Sequence, residues 1–126
     1  MIKPLRIEET EDTPKVLLDQ ENGTFEITGR SFPEDASKFY FSVLSWVEEY
    51  AQEPSKETNF YFYLDYFNST SMKQFIELLI RLERISETGK KVKIIWTHSK
   101  NDELMAFKGK EIENMINLPF EFKIIE

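Results

Sequence analysis

The run Phe60-Tyr61-Phe62-Tyr63-Leu64 leaves this chain few folds to choose from. Consecutive β-favouring aromatic residues with no helical period read as a strand apolar on both faces, which places it inside a sheet and ends it near Tyr66. On either side the period changes. Ala36, Phe39, Tyr40, Val43, Val47 and Tyr50 recur at helical spacing before it, and Met72, Phe75, Ile76, Leu79, Leu82 and Ile85 after it. A central strand between two amphipathic helices calls for crossover connections and a mainly parallel sheet.

The remaining elements extend that pattern. Val16 to Leu18 and Thr24 to Thr28 read as strands joined at Gln20-Glu21-Asn22-Gly23, where Asn-Gly signals a tight turn and a hairpin. Ser31-Phe32-Pro33-Glu34 fits a capping box for the first helix, which runs to about Gln52. Gly89 stops the second helix. Val92, Ile94 and Trp96 alternate with Lys91, Lys93 and Thr97 in a strand. Leu104, Phe107, Ile112, Met115 and Ile116 mark a third helix with Gly109 as its weak point, and Phe120, Phe122 and Ile124 form a last strand. The order β-β-α-β-α-β-α-β predicts one α/β domain over residues 1–126, with residues 1–12 a loosely held arm. Three strands carry charge or threonine at alternate positions, so one sheet face is wet and the helices lie on the other. A two-layer sandwich results. Tyr61, Tyr63 and Phe67 then fall on the wet face, either covered by the arm or open to a partner.

Charge and composition narrow the function. Sixteen basic against twenty-three acidic residues give a net charge of −7, an electrostatic handicap for nucleic-acid binding. The chain has no cysteine and one histidine, so disulfides, thiolate zinc sites, cysteine nucleophiles and histidine clusters are excluded. No signal-like leader and no apolar run of membrane-spanning length is present, and the expected location is cytoplasmic. Neither a P-loop nor a dinucleotide fingerprint occurs, and no cofactor or metal is expected.

Three hydroxyls, Ser69-Thr70-Ser71, stand between the central strand and the second helix. Ser71 with Gln74 fits a second capping box. One cap needs one hydroxyl, so Ser69 and Thr70 remain where unpaired backbone N–H groups and the positive helix end converge. An added phosphate is well tolerated there, with Lys73 on the first turn as a partner for it. Other constellations are weaker. His98 with Ser99 and Asp102 lacks a nucleophile elbow, points inward, and reads as a structural histidine. Glu8, Glu9, Glu11 and Asp12 lack the spacing of a calcium loop. Asn68-Ser69-Thr70 and Asn22-Gly23-Thr24 match glycosylation acceptors, but no secretory signal accompanies them. No nucleophile, base and oxyanion site assemble, so the chain reads as a non-enzyme.

Taken in order, Thr13-Pro14-Lys15-Val16, Gly23, Gly29-Arg30-Ser31-Phe32-Pro33-Glu34, Phe39-Tyr40, Trp46, Tyr66-Phe67-Asn68-Ser69-Thr70-Ser71, Gly89, Trp96 and Leu118-Pro119-Phe120 make the chain resemble the SiaC family of bacterial regulatory phosphoproteins. The fold of that family is similar to the STAS domain of anti-sigma-factor antagonists. The resemblance implies a phospho-switch in bacterial signalling. A dedicated Ser/Thr protein kinase modifies a hydroxyl at the start of the helix after the central strand, a PP2C-like phosphatase removes the phosphate, and the unmodified form binds an output protein such as a diguanylate cyclase. Carried over to this chain, the acceptor is the first hydroxyl after Asn68, namely Ser69. Threonine stands there in the best-described member, which leaves Thr70 as the rival. Asn68, Ser71 and Lys73 form the cap and phosphate neighbourhood, and Asn68, Ser69, Thr70, Met72 and Lys73 the partner-binding surface. The alternative from another class is a small-molecule-binding module built on the aromatic strand and Trp96, without phosphorylation.

Overall fold

A computed structural model describes all 126 residues. The elements are β1 (Leu5–Ile7), β2 (Lys15–Asp19), β3 (Thr24–Ser31), α1 (Ala36–Tyr50), β4 (Glu57–Phe67), α2 (Ser69–Glu87), β5 (Lys91–Ser99), α3 (Glu103–Glu113) and β6 (Phe120–Ile125). One six-stranded sheet carries the strands in sequence order. β1, β2 and β3 pair antiparallel, and β3 through β6 pair parallel across helical crossovers. Inward residues of β2 to β5 and residues from all three helices join one cluster of 25 buried side chains, so the helical layer covers a single sheet face. No helix is long and apolar enough to cross a membrane.

Several expectations need correction. The arm is not loose over its length: Leu5–Ile7 forms an edge strand on β2, and the Trp46 indole N–H donates to the Lys3 carbonyl at 2.7 Å. Beyond β1 the chain stays docked. The Glu9 carboxylate fills the space a side chain would need at Gly29, where φ is +115°, and the Phe32 amide donates to the Asp12 carbonyl at 2.8 Å. The β2–β3 turn is a four-residue loop in which Gly23 alone has positive φ. Asn22 instead ties its backbone and side-chain N–H groups to Asp19, whose carboxyl is held below its ordinary pKa by those bonds.

Phe67 does not lie on the wet face. Gly29 pairs with Leu64 while Arg30 pairs with Tyr66, so Asp65 is an extra residue in β4. That bulge reverses the alternation and turns Phe67 into the core against Phe75 and Trp96. Tyr61 and Tyr63 do stand on the outer face, beside Glu26, Thr28, Thr97 and Lys123. β1 does not cover them, because β2 and β3 lie between it and β4.

α3 also sits in a different rotation from the one its apolar stripe suggested. Met105, Gly109, Ile112 and Ile116 are buried, whereas Leu104, Phe107 and Met115 are exposed. Gly109 is a contact rather than a weak point: a Cβ there would lie 2.5 Å from Trp96 Cδ1, so glycine lets the helix backbone rest on the indole. That approach is held by the Trp96 N–H, which donates to the Met105 carbonyl at 3.0 Å.

Candidate functional site

The bulge in β4 sets the start of α2. With Phe67 locked inward, the chain leaves the sheet at Asn68, whose extended backbone (φ −93°, ψ 175°) suits an N-cap. The Asn68 side-chain carbonyl accepts from the Ser71 amide at 2.9 Å, and its own N–H donates to the Ser31 carbonyl at 3.1 Å. The cap is therefore Asn68, and Ser71 is not the capping hydroxyl. Likewise Asp35, not Ser31, caps α1 by accepting from the Lys38 amide at 3.1 Å. Bonds from Lys38 N–H and the Ser37 hydroxyl hold the Asp35 carboxyl below its ordinary pKa.

Both displaced serines serve one buried cluster. Ser31 Oγ lies 2.6 Å from Tyr40 Oη and 2.8 Å from Ser71 Oγ, and Ser71 Oγ lies 3.0 Å from the Ser31 carbonyl. The carbonyl only accepts, so Ser71 donates to it. Ser71 then accepts from Ser31, and Ser31 accepts from Tyr40, so three protons satisfy three bonds. Burial pushes the Tyr40 phenol well above its ordinary pKa, against the smaller opposing effect of its bond to Ser31, and keeps the proton for donation. This cluster fastens β3, α1 and the first turn of α2 together.

Successive helical positions turn by about 100°, so burying Ser71 directs Ser69 and Thr70 outward. Both are exposed. They differ in engagement: the Thr70 hydroxyl donates to the Asn68 side chain at 3.0 Å, while that of Ser69 bonds to no protein group. Met72 is half-buried against the core. Lys73 is exposed and lines, with Thr70, Gln74, Asp35, Lys38 and Phe39, a groove of about 1040 Å³ between the starts of α1 and α2.

Lys108 was invisible in the sequence. It lies 41 residues from Phe67 along the chain, yet its ammonium donates to the Phe67 carbonyl at 3.1 Å and sits 4.5 Å from the Phe67 ring centroid. Neither Lys73 nor Lys108 belongs to an ion pair. The helix ends differ in charge as well. α1 starts on Asp35, and α3 on Asp102 followed by Glu103. α2 starts on neutral Asn68 with no acid in its first turn, so its positive end is uncompensated.

Other candidates dissolve. His98 Nδ1 lies 2.9 Å from the Ser99 carbonyl, and Asp102 is occupied capping α3, so no catalytic relay forms. Trp96 and the inward aromatics of β4 are packing, with Phe60, Phe62 and Trp96 at most 1% exposed, and they line no cavity for a small molecule. No three acidic or histidine side chains gather to hold a metal ion.

Comparison with known proteins points to one family. Residues 7–125 match the family model described as SiaC family regulatory phosphoprotein. Over 116 residues, 92% of each chain, the sequence is 27% identical to an uncharacterized protein of Pseudomonas aeruginosa (strain UCBPP-PA14). The fold matches the crystal structure of apo-SiaC from Pseudomonas aeruginosa with a TM-score of 0.90 at 24% identity, covering 97% of this chain and 99% of that one. A chain in the crystal structure of the diguanylate cyclase SiaD in complex with its activator SiaC, from the same organism, matches with a TM-score of 0.89 at 25% identity, covering 96% and 99%.

Proposed function

This chain belongs to the SiaC family of regulatory phosphoproteins, and on that premise we propose that it is a non-enzymatic phospho-switch with Ser69 as its acceptor. The observation that carries the reading is the contrast among three adjacent hydroxyls. Ser71 is buried in the cluster, Thr70 is bonded to the cap, and Ser69 is exposed and unengaged at the uncompensated positive end of α2. A kinase needs an accessible hydroxyl whose proton is free to pass to its catalytic base, and Thr70 spends its proton on Asn68, which favours Ser69. The phosphate adds about −1.5 to −2 charges and three acceptor oxygens where Lys73, Lys108 and the first-turn amides meet it.

The unmodified form binds an output protein through Asn68, Ser69, Thr70, Met72 and Lys73. A relative in the solved complex is the activator of the diguanylate cyclase SiaD, which supports a cyclase as output here and a role in cytoplasmic cyclic-dinucleotide signalling. A Ser/Thr kinase and a PP2C-like phosphatase supply the chemistry, so the chain needs no catalytic residue. Loss of about 2.8 kcal/mol of binding weakens a complex a hundredfold, which suffices for switching. Peptide mass spectrometry of the protein from its native cells tests the assignment. Phosphate is expected on Ser69. Phosphate confined to Thr70, or absent from Asn68–Lys73 while the kinase is active, overturns it.

A further inference from the structure

α3 is apolar on two sides. Met105, Gly109 and Ile112 face the sheet, yet Leu104 is 58% exposed, Phe107 63% and Met115 56%. Leu104 and Phe107, three residues apart, share one side of the helix, and Met115 lies two residues past its end. On α2 the half-buried Met72, Ile76 and Ile80 form a second stripe that starts at Ser69. Two contacts set the helices side by side in the same direction. Lys108 of α3 holds the Phe67 carbonyl at the Ser69 end, and the Asn117 amide, just past α3, donates to Glu83 of α2 at 2.6 Å. The paired stripes therefore make an apolar face that nothing in the chain covers, with the unpaired cations Lys73 and Lys108 at the Ser69 end and Glu83 and Glu87 at the other. Large exposed side chains clustered in this way mark interaction surfaces in soluble domains.

We propose that this α2–α3 face docks a protein partner that presents apolar side chains to Phe107 and Leu104 and a carboxylate to Lys73 and Lys108. The proposal rests on the phospho-switch reading and supplies its physical basis. A partner carboxylate beside Ser69 is attracted while the serine is neutral and repelled once it carries a dianion. A second copy of this chain is a poorer occupant, since it brings a further net charge of −7 against the first.

The test titrates the purified full chain against a diguanylate cyclase of the same organism, using substitutions at exposed positions. Phe107→Ser and Lys73→Glu are each expected to weaken binding at least tenfold with little change in Tm. Phe41→Ser, at an exposed position on α1, is expected to leave binding unchanged. Zero-length carbodiimide cross-linking is expected to join Lys108 or Lys73 to an aspartate or glutamate of the cyclase. Parent-like binding by Phe107→Ser and Leu104→Ser overturns the proposal, as does no binding by the parent chain. A Phe107-dependent dimer whose lysines cross-link to a second copy overturns it too. The two readings fail separately. Parent-like binding by Ser69→Asp with weak binding by Phe107→Ser removes the switch and keeps the surface, and the reverse result removes the surface.

Discussion

Ser31→Ala is the sharpest probe of how the start of α2 is held. In the buried cluster Ser31 is the middle link, accepting from Tyr40 and donating to Ser71. Its removal leaves the Tyr40 hydroxyl without its acceptor in a site where Tyr40 is 1% exposed, while Ser71 keeps its bond to the residue-31 carbonyl. An orphaned buried donor together with the lost bond costs about 2–3 kcal/mol. For a domain of this size that is a fall in Tm of roughly 8–12 °C. Tyr40→Phe removes only the end of the chain of bonds and costs about 1 kcal/mol. The informative variant is the double one. With no phenol left to orphan, Ser31→Ala combined with Tyr40→Phe is expected to be no less stable than Ser31→Ala alone, a clear departure from additivity. Urea denaturation of the four proteins reads the cycle. Additive losses, or a Ser31→Ala protein as stable as the parent, refute these bond directions and with them the explanation of what pins Ser71.

Two further outcomes follow from the same packing and charge arguments. Gly109→Ala removes a helix-interior glycine, worth about 1 kcal/mol in favour of alanine by propensity, but drives a methyl into Trp96 and is expected to lose about 1–3 kcal/mol net by overpacking; a raised Tm in thermal denaturation contradicts it. Asp35, Asp19 and Glu121 have carboxyl pKa values held below their ordinary ones, the first two mainly by hydrogen bonds and Glu121 by its bond to Lys93. As the pH falls below about 4 the unfolded chain takes up protons first, so their contribution is present above that range and lost below it. Asp35→Asn keeps a capping side chain without its titration, and its urea midpoint is expected to fall less steeply between about pH 5 and 3 than the parent's.

The long-period signals of this fold were legible in the sequence. Alternation along β5, the aromatic run of β4 and the helical spacing of α1 and α2 each extend over many residues, so a local exception does not hide them. Single-residue events were not legible. One extra residue at Asp65 reverses the facing of Phe67, and no residue type announces a bulge. β1 is three residues long, too short to show a period, and its place at the sheet edge follows from β2 having an open side. Ser31 and Ser71 matched capping patterns because those patterns record residue types, whereas a buried hydroxyl cluster needs partners 40 residues apart. α3 carries apolar residues on two faces, and the sequence alone does not say which face packs. The position of the candidate site was readable from three hydroxyls at a strand–helix junction. Its unpaired oxygen at Ser69, and the approach of Lys108 from α3, required the fold.

The proposed function turns on one change of charge at Ser69. The direct measurement is a calorimetric titration of a diguanylate cyclase of the same organism with four forms of this protein: unmodified, phosphorylated at Ser69, Ser69→Ala and Ser69→Asp. The unmodified and Ser69→Ala proteins are expected to bind alike, and the phosphorylated form at least a hundredfold more weakly, with Ser69→Asp between them because it carries a smaller charge. Equal affinity of the phosphorylated and unmodified proteins contradicts the switch.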